Sequence, residues 1–326
     1  MSSLIESKTG FLPTTAPFDF SQSLRFLGGF SPTAGEQSVS KSGQLTKTIS
    51  LKGQAVVFSL IPVVGEGFAH DSSQPTAALS HNTSSGVNYT LRANRLETKT
   101  VELAERAISK YLGLQDDLGE LYAVGANDPA FAPVMQGLYG YHQVRFLTPF
   151  ENAVWSVLTQ RTPMAVARAA KFKLVAHYGP KLEQPGEEKF IAFPEPEAII
   201  AAGASELVTV LDNERKADYL LHVAEAFATD LRFDDSAVDA LDRETLKQRL
   251  LAIKGIAAWS AEFVLIRGFG KMGGIPGGEK ELAKVVGQRY TPGRIATDSE
   301  IADFARPYGN SKGYWAHYLR IAGPLH

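Results

Sequence analysis

The chain has no cysteine. That absence excludes disulfides, thiolate zinc sites, iron–sulfur clusters and cysteine nucleophiles together. Long apolar runs are missing as well: nothing reaches the roughly 18 residues a membrane helix needs. Met1–Gly10 lacks the basic segment and apolar run of an export signal. The expectation is a soluble, intracellular protein with no membrane contact. Charge of one sign is also scarce, the formal net being −2 from 33 Lys+Arg and 35 Asp+Glu, so gross composition announces no nucleic-acid partner. No two of the seven histidines are spaced i, i+4, which argues against a metallohydrolase. Internal repeats and a low-complexity tail are absent too.

What is present is a chain of 326 residues, 44% hydrophobic, enough to bury one large core or two moderate ones. The charge is unevenly placed. Residues 251–326 hold ten Lys/Arg against six Asp/Glu, a net of +4, and the remaining 250 hold 23 against 29, a net of −6. This asymmetry suits a basic face, and equally a random scatter of surface charge.

Two regimes follow one another along the chain. Up to about residue 95 the pattern is strands and turns: Leu45–Leu51 and Val87–Ala93 alternate, Gln54–Val64 is rich in Val and Ile, and the polar stretch His70–Gly86 reads as a long surface loop. A helix carries Val101, Ala104, Ile108, Tyr111 and Leu112 at helical spacing. From Asp116 onward nearly everything reads helical. Pro149-Phe150 opens one helix, Thr162-Pro163 breaks it, and Met164–His177 resumes. Pro194 and Pro196 flag another start. Arg215–Ala228, Leu246–Ile253, Ala258–Gly268, Glu279–Val286 and Asp298–Phe304 complete the set. The fold class is α+β, with an N-terminal antiparallel sheet layer in residues 1–115 and a mostly helical body in 116–326.

The informative stretch is residues 246–268. An apolar helix end meets the short turn Lys254-Gly255-Ile256-Ala257 and a second apolar helix begins at once. Glycine lets the two helices cross closely, and Ile256 would plug between them. The unpaired amides and positive dipole end of the second helix then form a phosphate site. Such a hairpin grips a DNA backbone without reading sequence. An ordinary helical hairpin inside a core has the same pattern.

These residues carry a resemblance. Leu250-x-x-Ile-x-Gly-Ile-x-x-Trp-Ser-Ala261, followed by Gly274-Ile-Pro-Gly-Gly-Glu-Lys-Glu-Leu282, is similar to the hairpin and Gly/Pro-rich loop of the helix-hairpin-helix DNA glycosylase superfamily, nearest to the bacterial 3-methyladenine DNA glycosylase II group. Pro17-Phe-Asp-Phe-x-x-x-Leu-x-Phe-Leu27 resembles that family's opening segment, Thr148-Pro-Phe-Glu-x-x-Val-Trp-x-Val-Leu-x-Gln160 its first body helix, and Phe193-Pro-x-Pro-Glu197 a later helix start. The likeness runs from about Pro17 to the C-terminus.

The resemblance implies an N-terminal half like a TATA-binding-protein repeat, then a helical body with a lesion pocket between subdomains. It also implies base excision repair on damaged double-stranded DNA by a cytoplasmic, nucleoid-associated monomer that flips alkylated purines from the duplex. Breaking an N-glycosylic bond builds positive charge on the sugar, so a carboxylate must lie near the anomeric carbon. The family's carboxylate is an Asp shortly after the loop proline; the matching residue here is Glu279. Either Glu279 is catalytic, or the protein binds lesions without cutting them, or Glu279 only stabilises a helix N-terminus and another residue, such as Glu281, acts.

Trp259 stands where bifunctional relatives carry a Schiff-base lysine, which implies hydrolysis without strand cleavage. Trp259, Phe263 and Phe26 would line the base pocket. Near the C-terminus the family often adds an aromatic; the match here is Arg320, unless a shifted alignment brings Trp315 or Tyr318 into the pocket. Matching through Gln160 puts Arg161 at the position that fills the gap left by a flipped base. With Lys254, Gly255, Ile256 and Ala257, these two form the expected DNA-contacting set. The family's hairpin also holds a monovalent cation (Na⁺ or K⁺) through backbone carbonyls, here those of Leu251, Ile253 and Gly255; no other cofactor is implied. A scaffold that never touches DNA is the remaining class.

Overall fold

The computed structural model describes residues 5–64, 84–183 and 189–323. In chain order the elements are β1 (Glu6–Pro13), α1 (Phe20–Gly29), β2 (Gln37–Val39), β3 (Leu45–Leu51), β4 (Gln54–Val64), β5 (Ser84–Ala93), α2 (Thr98–Leu112), α3 (Gly119–Gly125), α4 (Ala132–Gly137), α5 (Pro149–Leu158) and α6 (Met164–Tyr178). The short strands β6 (Lys181–Leu182) and β7 (Phe190–Ile191) come next. They lead into α7 (Pro196–Leu211), α8 (Glu214–Thr229), α9 (Ser236–Ala240), α10 (Arg243–Leu251), α11 (Ala258–Arg267), α12 (Lys280–Tyr290), α13 (Asp298–Ala305) and α14 (Lys312–Ala322). The expected α+β class holds, with an antiparallel sheet first and a helical body after.

The sheet runs β1-β5-β4-β3-β2, every neighbouring pair antiparallel. β4 is apolar on both sides. Val56, Phe58 and Leu60 enter the main core, while Ala55 and Val57 face the other way, against Leu182 and Ala192 around the β6–β7 ribbon. The bounds expected for β3 and β4 hold. β5 starts earlier than expected: of Ser84–Gly86, read as the end of a polar loop, Gly86 pairs with both Pro13 of β1 and Val63 of β4 and Ser84 with Val64 of β4, because ladder hydrogen bonds are made by the backbone and tolerate polar side chains. The rest of that loop expectation lies outside the described residues. The polar edge strand β1 carried no alternation to reveal it.

α5 begins as expected. Thr148 caps it, its Oγ1 accepting from the Glu151 amide at 3.1 Å, and Pro149 follows at the first helical position. Every residue of α5 is buried, so it forms the spine of the helical body. α10 starts three residues before Leu246, because Asp242 accepts from the Thr245 amide at 2.9 Å.

Buried apolar residues gather in two principal clusters. One joins the sheet, α1 and α2 to the late helices α12 and α14. The other is built from residues 146–265, including Trp155, Leu220, Leu250, Ile256 and Leu265. The late helices thus return to the sheet side, and the seam between the clusters is where the candidate site lies.

Candidate active site

Three helices turn one face each toward a cavity of about 620 Å³. α1 presents Gln22, Arg25, Phe26 and Gly29, spaced i, i+3, i+4, i+7; α11 presents Trp259, Phe263, Ile266 and Arg267; α14 presents His317, Arg320 and Ile321. Phe30, Leu138, Tyr141, Pro276 and Glu279 close the wall. The four pocket residues expected from the sequence, Phe26, Trp259, Phe263 and Glu279, therefore come together in one place.

The walls are aromatic. Trp259 stacks on Phe263, centroids 5.0 Å apart at 14°, and remains 42% exposed. Opposite them Phe26 stacks on Phe30 at 4.9 Å, and Phe146 bridges the two pairs edge-on. An indole face left open beside a cavity has no core role, and it suits stacking by a planar ring.

Glu279 is the residue before the first turn of α12, yet its side chain makes no capping hydrogen bond. Instead the carboxylate lines the cavity, where Oε2 lies 2.5 Å from Arg320 Nε. Arg320 Nε has no aligned hydrogen-bond partner, so the contact is Coulombic. The preceding loop sets this direction: Gly278 has φ +72°, open to glycine, and its amide donates to Asp298 Oδ2 at 3.1 Å. Glu281 is exposed and does not line the cavity. Trp315 and Tyr318 are fully buried elsewhere, so it is Arg320 that reaches the pocket, as direct matching implied.

Arg267 was not foreseen, although Trp259, Phe263 and Arg267 share one helical face at i, i+4, i+8. It is 6% exposed, and its guanidinium lies 5.0 Å from the Phe26 ring centroid and 4.6 Å from that of Phe30. Burial pushes its pKa down to about 10; Tyr141 opposes this and Arg320 adds to it. Arg267 Nη1 approaches His317 Nε2 at 3.4 Å. Because arginine can only donate, Nε2 must be the acceptor, which places the imidazole proton on Nδ1. Burial and the neighbouring arginines hold His317 well below the ordinary histidine value, in its neutral form.

Beside the cavity stands the hairpin. α10 and α11 are tied by Glu262, which pairs with Arg243 and, at 2.9 Å, with Lys247. Gly255 has φ +97°, and a Cβ there would come within 2.6 Å of the Tyr219 ring, so conformation and space both demand glycine. Ile256 is buried in the helical core, as expected. No side chain caps α11, leaving its first-turn amides facing outward behind exposed Ala257 and Ala258.

Lys254 is exposed and pairs with Asp218 at 2.8 Å. Gln160 does not face outward from the hairpin; its Nε2 donates to the Gly255 carbonyl at 2.7 Å and holds the turn. Arg161, next to it, is exposed with φ +50°, a conformation seldom adopted by a residue with a side chain. Of the carbonyls matched to a cation, that of Ile253 accepts from the Ile256 amide and that of Gly255 from Gln160.

No protein-family model matches the chain. A curated DNA-3-methyladenine glycosylase of Bacillus subtilis (strain 168) is 24% identical over 212 residues, 65% of this chain and 69% of that protein. Among solved structures, a 3-methyladenine DNA glycosylase from Archaeoglobus fulgidus matches with a TM-score of 0.71 and 22% identity over 96% of this chain and 97% of the other. An 8-oxoguanine glycosylase/lyase of Clostridium acetobutylicum, solved with double-stranded DNA, matches at 0.63 and 15% over 98% and 97%. The chain has the fold of these DNA glycosylases. Among the described residues no helix is long and apolar enough to cross a membrane.

Proposed function

We propose that this protein is a monofunctional DNA glycosylase that flips a damaged purine, of the alkylated kind named for its relatives, from duplex DNA and hydrolyses its N-glycosylic bond. One observation carries the reading: a carboxylate that leaves its own helix uncapped opens into an aromatic cavity beside an uncapped helix-hairpin-helix turn. The α11 amides and Lys254 take a backbone phosphate, and Arg161 fills the gap in the stack. The extruded base enters between the Trp259–Phe263 and Phe26–Phe30 pairs. As the C1′–N bond breaks, its electron pair leaves with the base and positive charge grows on the sugar. Glu279 stabilises that charge and orients a water, whose oxygen bonds to C1′ and whose proton ends on the base or in solvent.

None of the described residues lining the cavity is lysine, and by the resemblance Trp259 stands where bifunctional relatives carry an imine-forming lysine. Hydrolysis without strand cleavage follows. A monovalent cation bound by the Leu251, Ile253 and Gly255 carbonyls is compatible with the turn, since a carbonyl accepting one hydrogen bond keeps a second lone pair. Such an ion would add positive charge beside the phosphate.

Glu279→Gln tests the assignment. Release of the damaged base should fall by about 10²–10⁴-fold while affinity for lesion-bearing duplex survives. A second reading, a lesion-binding protein without hydrolysis, is favoured by the Glu279–Arg320 contact, which neutralises the carboxylate. Absence of release by the unmodified protein from every lesion it binds would establish that reading instead.

A further inference from the structure

Arg161 stands in the turn between α5 and α6 at φ +50°. A left-handed backbone under a side chain is strained and persists only where its surroundings over-determine it. Here they act from two directions. Gln160 Nε2 donates to the Gly255 carbonyl of the hairpin at 2.7 Å, and Thr162 Oγ1 donates back to the Gln160 carbonyl at 2.9 Å. The third tie comes from another helix. Lys216, in the first turn of α8, donates through Nζ to the Leu158 carbonyl at the end of α5 and to Thr162 Oγ1. Residues 158, 160 and 162 are thus held, while the Arg161 side chain between them is exposed and makes no ion pair among the described residues.

The placement of Lys216 is unfavourable on three counts. It is a cation in the first turn of a helix, where the dipole favours anions. It is half-buried, and burial lowers its pKa from the usual lysine value. Among the described residues it has no carboxylate partner, and both its acceptors are neutral oxygens. The negative end of α5 offsets part of this cost. Capping α5 does not account for the second bond, because Thr162 lies beyond Arg161. One ammonium therefore pins both flanks of the turn across the arginine. A guanidinium entering a base stack gives up backbone and side-chain freedom, and a turn already fixed has lost the backbone part beforehand.

Resting on the reading above in which Arg161 fills the gap in the stack, we propose that Lys216 is a positioning residue. By pinning both flanks of the α5–α6 turn it presents Arg161, preorganised, to the space that an extruded base leaves.

The test uses three duplexes: one undamaged, one carrying a tetrahydrofuran residue (a nucleotide without its base, so the gap exists before binding) and one carrying 7-methylguanine. Affinities for the first two give a gap preference that needs no catalysis, and single-turnover release is read from the third. The unmodified protein should prefer the tetrahydrofuran duplex by about tenfold or more. Arg161→Ala should reduce that preference about fivefold, and Lys216→Met about threefold to fivefold. In the double variant the loss should match that of Arg161→Ala alone within about twofold, because Lys216 acts through Arg161. A lysine that only supports the fold would lower both affinities alike and leave the preference unchanged. The proposal is overturned if the unmodified protein has no preference, if Lys216→Met keeps it, or if the two losses multiply. It is also overturned if Lys216→Met reduces the slope of log affinity against log salt by about 0.9, which would make Lys216 a phosphate contact itself. Thr162→Val, which removes one of the two acceptors, carries the same comparison should Lys216→Met not fold. A preference untouched by Arg161→Ala would defeat the gap-filling assignment and the role of Lys216 with it. The expected pattern without release of 7-methylguanine would defeat hydrolysis of that base and leave the role of Lys216 standing.

Discussion

Arg320 of α14 reaches across the cavity to Glu279 at the start of α12, guanidinium Nε 2.5 Å from carboxylate Oε2. Both side chains are largely buried, at 25% and 19% exposure, so the pair is screened less than a surface salt bridge. It couples the proposed engine of hydrolysis to a cation that a departing base must pass. Arg320→Gln should free the carboxylate and remove positive charge from the wall. Single-turnover release of a cationic base is expected to rise about threefold to tenfold, with a smaller change for an uncharged one. A uniform fall for both would mean that Arg320 positions Glu279 rather than restraining it.

The hairpin makes a prediction about stability. Gly255→Ala places a methyl group against the Tyr219 ring at a backbone conformation only glycine adopts freely. Chemical denaturation should show a loss of about 2–3 kcal/mol. DNA affinity should fall with it, since the amides of α11 are aimed by this turn. Gln160→Leu, which removes the 2.7 Å hydrogen bond to the same carbonyl, should cost about 1 kcal/mol.

Lys254 stands exposed beside the α11 amides proposed to take a phosphate. Lys254→Met should reduce the slope of log affinity against log salt by about 0.9, without altering release once DNA is bound. Titrations of duplex binding over a range of salt concentrations read this directly. An unchanged slope would remove the residue from the interface.

Acid should weaken the folded state through His317. Its folded pKa lies well below 6.5, so below that pH the unfolded chain takes up a proton that the buried ring refuses. Stability contributed by the neutral ring is complete above pH 6.5 and declines as the pH falls, by up to about 1.4 kcal/mol per pH unit. Urea midpoints measured from pH 7.5 down to 5 should fall more steeply for the unmodified protein than for His317→Gln.

Much of this arrangement could be read along the chain, for identifiable reasons. β3 and β4, the proline-opened α5 and the hairpin are local signals: alternation, a Thr-Pro start, a glycine between two apolar helices. Glu279 and Trp259 were legible through resemblance, because each stands at a fixed offset from a Gly/Pro-rich or Gly-Ile turn. Tyr141, His317 and Arg267 were not. Their partners lie more than a hundred residues away in the cases of Tyr141 and Phe26, and no local pattern announces that α1, α11 and α14 converge. Gln160 was legible as a position but not as a role: sequence could not show that its amide turns inward to the Gly255 carbonyl.

The cavity draws one wall from residues 22–30 and another from residues 317–321. A chain still being synthesised therefore has the backbone grip before it has a chamber, since α11 is complete some fifty residues before α14. On the glycosylase reading proposed above, the chamber for an extruded base closes only when α14 packs back against α1 and α11.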